Sequence, residues 1–176
     1  MKRFLNFMTI SLVAVVMVSS CKDDDNDNNN TAPNDTDRNF MTMAAYANSN
    51  EIDAAQLALT KATNDSVKVF AQMMIAEHTN AKAKLDSVAN QFTYTLPTTI
   101  DSAHAAMKVQ MMALSGVTFD TTYMNSQVND HVNTISLFQT EINQGNNPSI
   151  KNYATETLPH LQMHLERAQS IRAQLQ

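Results

Sequence analysis

Apolar residues recur along this chain in alternating steps of three and four, the spacing that keeps one face of an α-helix turned inward. Four such stripes are legible. The first runs Phe40, Ala44, Ala47, Glu51, Ala54 and Ala58, and the second Val67, Ala71, Met74, His78, Ala81, Leu85, Val88 and Phe92. Met124, Val128, His131, Ile135, Phe138 and Ile142 form the third; Ile150, Ala154, Leu161, His164, Ala168, Ile171 and Leu175 form the fourth. Each stripe is interrupted by one polar residue able to hold a metal: Glu51, His78, His131 and His164. His160 lies one turn before His164 on the same face.

Stop and start signals divide these stripes into helices. Asp37 is placed to cap a first helix reaching about Thr63, and Asn64-Asp65 start a second reaching about Tyr94. Leu96-Pro97-Thr98-Thr99 breaks the pattern, and Asp101 caps a shorter segment that ends at Gly116. Asp120 begins the next long helix, which stops at Gly145-Asn146-Asn147-Pro148, and Ser149 begins the last. Two tight connections and one long one predict an all-α, ferritin-like four-helix bundle made of two helical hairpins, with a crossover carrying an extra short helix.

The halves also match at an offset of 83 residues. Asn64, Ser66, Val67, Lys68, Phe70 and Ala71 correspond to Asn147, Ser149, Ile150, Lys151, Tyr153 and Ala154; Asp37 and Phe40 correspond to Asp120 and Tyr123. Duplicated hairpins would produce this, as would convergent capping chemistry; duplication is the preferred reading. The hairpins predict similar heights for the polar interruptions. Glu51 lies about 12 residues before the first turn and His78 about 15 after it; His131 lies about 15 before the second and His160 about 14 after it. At 1.5 Å per residue these agree within roughly one helical turn. Glu51, His78, His131 and His160 or His164 are therefore the candidate metal ligands.

Composition narrows the chemistry. With only Gly116 and Gly145, the chain cannot supply a Rossmann fingerprint, a P-loop or a nucleophile elbow. No serine, aspartate and histidine spacing selects a triad, so no catalytic residue is assigned. Nine methionines lie beyond residue 20, but they form no regular array and are expected to fill the core.

Residues 1–20 have the layout of a secretory signal: Lys2 and Arg3, an apolar run from Phe4 to Val18, then small residues. Val18-Ser19-Ser20-Cys21 resembles a bacterial lipobox, which implies cleavage before a lipidated Cys21. Residues 21–36 are too polar to bury a core and are expected to form a disordered acidic tether. Lys22-Asp23-Asp24-Asp25 is similar to a signal that sends some lipoproteins to the outer face of the outer membrane. The expected location is the bacterial outer membrane, lipid-anchored, facing periplasm or exterior. Residues 22–37 hold six acids and one base, which leaves the folded part nearly neutral and without a basic patch for nucleic acid.

The order of Phe40, Glu51, His78, Phe119-Asp120, Asp130-His131, Leu158-Pro159 and His160-x-x-x-His164 resembles the ferritin-like domain of unknown function family 4142 over nearly all of residues 37–172. The resemblance implies a bacterial envelope protein with a four-helix bundle and no established activity. The chain departs from di-iron ferritins, which use Glu-x-x-His on two helices. Glu77 directly precedes His78, Glu156 lies four residues before His160, and His131 stands where a glutamate is needed. Such a histidine-rich set suits zinc, copper or mononuclear iron and argues against ferroxidase chemistry.

The expectation is a lipid-anchored protein holding one transition-metal ion in its core. Two alternatives stand beside it. In one, the bundle is an interaction module docking near Asp101 to Met112, and the histidines are structural, His78 paired with Glu51 and His131 with His160. In the other, it is a metal-dependent redox enzyme. Pro159, just before His160, is expected to bend the last helix, whether toward the site or merely around the core.

Overall fold

The structure, a computed structural model, describes residues 31–175; the expected signal sequence, Cys21 and most of the expected tether lie outside these. Five helices follow in order: α1 (Asp35–Lys61), α2 (Asp65–Asn90), α3 (Ser102–Met112), α4 (Gly116–Gln144) and α5 (Pro148–Gln174). The long four form a ferritin-like bundle in which α1 packs on α2 and α4, and α5 on α4 and α2. The short α3 lies in the crossover, against α1 and α4. No helix among the described residues is long and apolar enough to cross a membrane.

Several helix boundaries differ from the sequence reading, among them the end of α3, which falls at Met112 and not at Gly116. The first helix starts earlier because Asn34, not Asp37, is its N-cap. Asn34 accepts from the Asp37 N–H at 2.9 Å while Asp37 accepts from the Asn34 N–H at 2.7 Å, a reciprocal capping box. The second ends at Asn90 because Thr93 turns left-handed, at φ 54°, and the Tyr94 N–H bonds back to the Ala89 carbonyl. That 6→1 bond is a Schellman ending. The fourth begins at Gly116, not Asp120, because a glycine at φ 58° reverses the chain out of α3.

Asp120 instead serves the opposite hairpin, and Asp37 does so with one carboxylate oxygen while the other closes its own capping box. The Asp120 carboxylate, on α4, accepts from the Thr63 hydroxyl at 2.7 Å and the Thr63 and Asn64 amides at 3.1 and 2.9 Å, tying down the α1–α2 turn. Asp37, on α1, accepts from the Asn146 and Asn147 amides at 3.0 and 3.1 Å, tying down the α4–α5 turn. Asn64 and Asn147 then cap α2 and α5. The 83-residue correspondence thus has a geometric counterpart. It extends into the core, where Phe40 meets Tyr153 at 6.1 Å and 61°, and Tyr123 meets Phe70 at 6.4 Å and 68°.

The interior is layered. One apolar core, near the α1–α2 turn, is built around Phe70, Met74, Phe119, Tyr123 and Met124. The other, near the α4–α5 turn, is built around Phe40, Met41, Leu85, Phe138 and Tyr153. Between them lie the buried polar residues Asn48, Glu51, His78, Gln127, His131 and His164. Burying each of the large apolar side chains stabilises the fold by about 1.5–3 kcal/mol, so the two cores hold the polar layer in register from either side.

Candidate metal centre

Three of the five candidate ligands converge. His78 on α2, His131 on α4 and His164 on α5 are buried, each offering a ring nitrogen within 4.8 Å of the others. Each sits on the inward stripe of its helix, so the same periodicity that buries Leu85, Phe138 and Ala168 carries the imidazoles into the centre.

The outer nitrogens define the inner ones. His78 Nδ1 lies 2.9 Å from Asn48 Oδ1, an acceptor, so it carries the proton and leaves Nε2 bare. That Nε2 is buried and has no hydrogen-bond partner. His131 Nδ1 donates to the Gln127 carbonyl at 2.8 Å, leaving its Nε2 bare. His164 Nε2 donates to Glu77 Oε2 at 3.0 Å, leaving its Nδ1 bare. His131 Nε2 and His164 Nδ1 then face each other at 3.4 Å, lone pair against lone pair. A proton between them would require one ring to become an imidazolium, and the surroundings oppose that. Burial, then the neighbouring His131 and His164, pushes His78 well below its usual value. Burial also lowers His131 against the opposing Gln127 carbonyl and Asp130, and burial followed by His131 lowers His164 against Glu77. Three neutral imidazoles therefore aim three lone pairs at one another, each held by an outer hydrogen bond. Metal-bound histidines are oriented in this way.

Glu51 and His160 lie outside this group. Glu51 accepts from Gln127 Nε2 at 2.7 Å and approaches His131 Nδ1, the outer nitrogen, at 3.5 Å. Burial first, then Asp130, pushes it up to about 8, so at neutral pH it is a protonated acid beside a neutral imidazole and no ion pair forms. His160 is 62% exposed and rests its Nδ1 3.3 Å from the same Glu77 oxygen that holds His164. The pairings of His78 with Glu51 and His131 with His160 do not form; Asn48 and the Gln127 carbonyl take those places. Pro159 interrupts α5 without ending it.

Asn48, Glu77 and the Gln127 backbone are the supporting residues that stripe reading misses. Asn48 was within reach of it, being one turn before Glu51 on α1. The buried methionines Met41, Met74, Met111 and Met124 belong to the apolar cores or their margins, as expected of core fillers.

A second titratable cluster lies on the α3 side. His104 bonds Asp101 through Nδ1 at 2.8 Å and reaches Asp130 through Nε2 at 3.6 Å, joining the start of α3 to α4. Asp130 first, then Asp101, raises His104 to about 9 against burial, with Glu51 of α1 the other acid nearby. A folded value above the unfolded 6.5 means stabilisation complete below pH 6.5 and lost as pH rises through about 9. The stability advantage of the wild type over His104→Gln is expected to be about 2 kcal/mol near pH 6, discounted for solvent contact. It should shrink toward zero by about pH 10, as read by urea denaturation at each pH.

Fold and centre together define a ferritin-like four-helix bundle with a buried three-histidine cluster. The chain belongs to the family described as a domain of unknown function, DUF4142, whose model matches residues 23–171. Among solved structures, it is similar to a DUF305 fragment from Deinococcus radiodurans, with a TM-score of 0.71 and 9% identity over 81% of this chain and 98% of that one. It is also similar to CopM in its Cu(II)-bound form, with a TM-score of 0.68 and 15% identity over 80% of this chain and 97% of that one. CopM in its silver-bound form gives a TM-score of 0.65 and 14% identity, over 78% and 96% of the two chains. At such identities the shared property is the fold. A search of curated proteins finds no match.

Proposed function

We propose that this protein binds one transition-metal cation, copper(II) in preference to zinc, on His78 Nε2, His131 Nε2 and His164 Nδ1, and that acyl chains on Cys21 hold it at the bacterial outer membrane. The observation that carries the reading is the facing pair of bare nitrogens at 3.4 Å with the orphaned His78 Nε2 beside them. A buried acceptor without a donor costs about 1–3 kcal/mol, and a cation satisfies all three at once. Neutral imidazole suits copper and zinc, and copper(II) leads the divalent series. CopM, a bundle of the same fold, has a Cu(II)-bound form, which makes copper the first metal to test.

Titration of chelator-stripped protein with copper(II), followed by equilibrium dialysis and elemental analysis, tests this. One equivalent is expected to remain bound to the wild type. His78→Ala and His131→Ala each remove one ligand in three and should weaken binding by about a hundredfold, the upper end of what losing an outer-shell partner alone costs. Copper retained equally by all three proteins, or by none, would overturn the assignment.

The docking alternative retains one favourable observation. Val109 and Met112 of α3 and Val117 at the start of α4 are large apolar residues exposed close together in the chain, and a partner seated there would not need the histidines.

A further inference from the structure

A cleft borders the buried centre, sharing two of its three histidines. This cleft, of about 210 Å³ between α2 and α5, is lined by His78 and His164 at its inner end and by Glu77, His160, Lys84 and Glu156. Glu77 stands between the centre and the exterior. It is 33% exposed, and its Oε2 accepts from the buried His164 at 3.0 Å and from the exposed His160 at 3.3 Å.

We propose that Glu77 and His160 form an entry site where the cation is captured from solvent and passed inward to the three-histidine centre. The proposal rests on the metal-binding reading above. Three features of the cleft carry it. His160 commits Nδ1 to Glu77, so its Nε2 keeps a free lone pair, and the Glu77 Oε1 accepts no hydrogen bond among the described residues. One carboxylate oxygen and one imidazole nitrogen are a competent pair of first ligands for a hydrated cation. The inner nitrogen His78 Nε2 belongs to a residue lining the same cleft and has no competing partner. The ligand exchange balances simply: the cation sheds water to bind Glu77 and His160, then sheds them for His78, His131 and His164. The inner nitrogens are already bare, so no proton has to leave. Glu77 keeps the His164 Nε2–H throughout, which couples arrival of the cation to the orientation of the ring that receives it.

The sequence already hinted at a special relation. Glu77 and His160 are 83 residues apart, so they occupy corresponding positions on α2 and α5 and meet where the two hairpins face each other. An exposed histidine tied to a buried ligand through one oxygen of a half-buried carboxylate is an arrangement that register alone does not require.

Stopped-flow mixing of copper(II) with the full chain tests the entry site. In His160→Ala, association and dissociation should both slow by about tenfold, with saturation still at one equivalent. His160→Glu, which restores a donor at the mouth, should recover most of the rate. Glu77→Gln removes the charge but keeps an oxygen for His164, and it should slow association further in combination with His160→Ala. His160→Ala binding at the wild-type rate would overturn the entry site while leaving the centre intact. Loss of stoichiometric binding in His160→Ala would also overturn it, by making His160 a ligand of the final complex. Failure of the wild type to bind copper at all would be visible in the same experiment and would remove the metal reading itself.

Discussion

Replacement of Asp120 by alanine is expected to lower the free energy of unfolding by about 3 kcal/mol, measured by urea denaturation. The carboxylate is fully buried and accepts from two backbone amides and one hydroxyl of the α1–α2 turn. Hydrogen bonds to a charged acceptor are worth about 1.5–3 kcal/mol each in net terms, and the donors left behind would be stranded close to the core. Asp120→Asn should recover part of the loss, since the amide oxygen still accepts while its NH₂ meets other donors. Asp37→Ala should behave alike, because Asp37 performs the same task at the other end of the bundle. A change below about 1 kcal/mol in both variants would show that the turns are held by their own Asn64 and Asn147 caps, each worth about 1 kcal/mol. The metal stoichiometry should survive either substitution, since the turns lie at the ends of the bundle and the centre lies between the two apolar cores.

That pair of aspartates also marks how far the sequence can be read. Their equivalence was visible in the 83-residue offset, and so was their place near helix starts. Their remote partners were not, because an aspartate near a helix start has a local use, capping its own helix, which Asp37 keeps and Asp120 does not. Only the packing of α4 beside the α1–α2 turn decides between them. The four apolar stripes forecast the bundle because burial of one helix face is a periodic property. Glu51 interrupts its stripe as plainly as the histidines do, yet it turns toward Gln127. Stripe position fixes a side chain's height and face to within a turn, while the separation of ligands is a matter of a few ångströms. The same tolerance left His160 and His164 undivided in sequence. The acceptor that orients His131 is a backbone carbonyl, which has no residue identity to read.

Exchanging His131 for leucine is expected to leave the metal-free protein at least as stable as the wild type and to remove most of its response to copper. The argument turns on what His131 does without a metal. Its Nδ1–H bonds a carbonyl already inside the α4 helix, and its Nε2 points at another lone pair. A leucine of similar volume loses one modest hydrogen bond and removes one buried, unsatisfied acceptor, so the sum is near zero or favourable by about 1 kcal/mol. The wild type, by contrast, should gain about 2.7 kcal/mol at a copper concentration a hundred times its dissociation constant. Binding of copper to the unfolded chain would reduce that gain, and denaturation at two copper concentrations measures the reduction. The result separates the two readings of the histidines. If they serve only to fix helix register, His131→Leu should cost about 2–3 kcal/mol through loss of a buried polar network, and copper should stabilise neither protein. If they await a cation, the order of stabilities should invert on adding copper: variant equal or ahead without it, wild type ahead with it. Such an inversion follows from a site whose lone pairs are satisfied only by something the polypeptide does not contain.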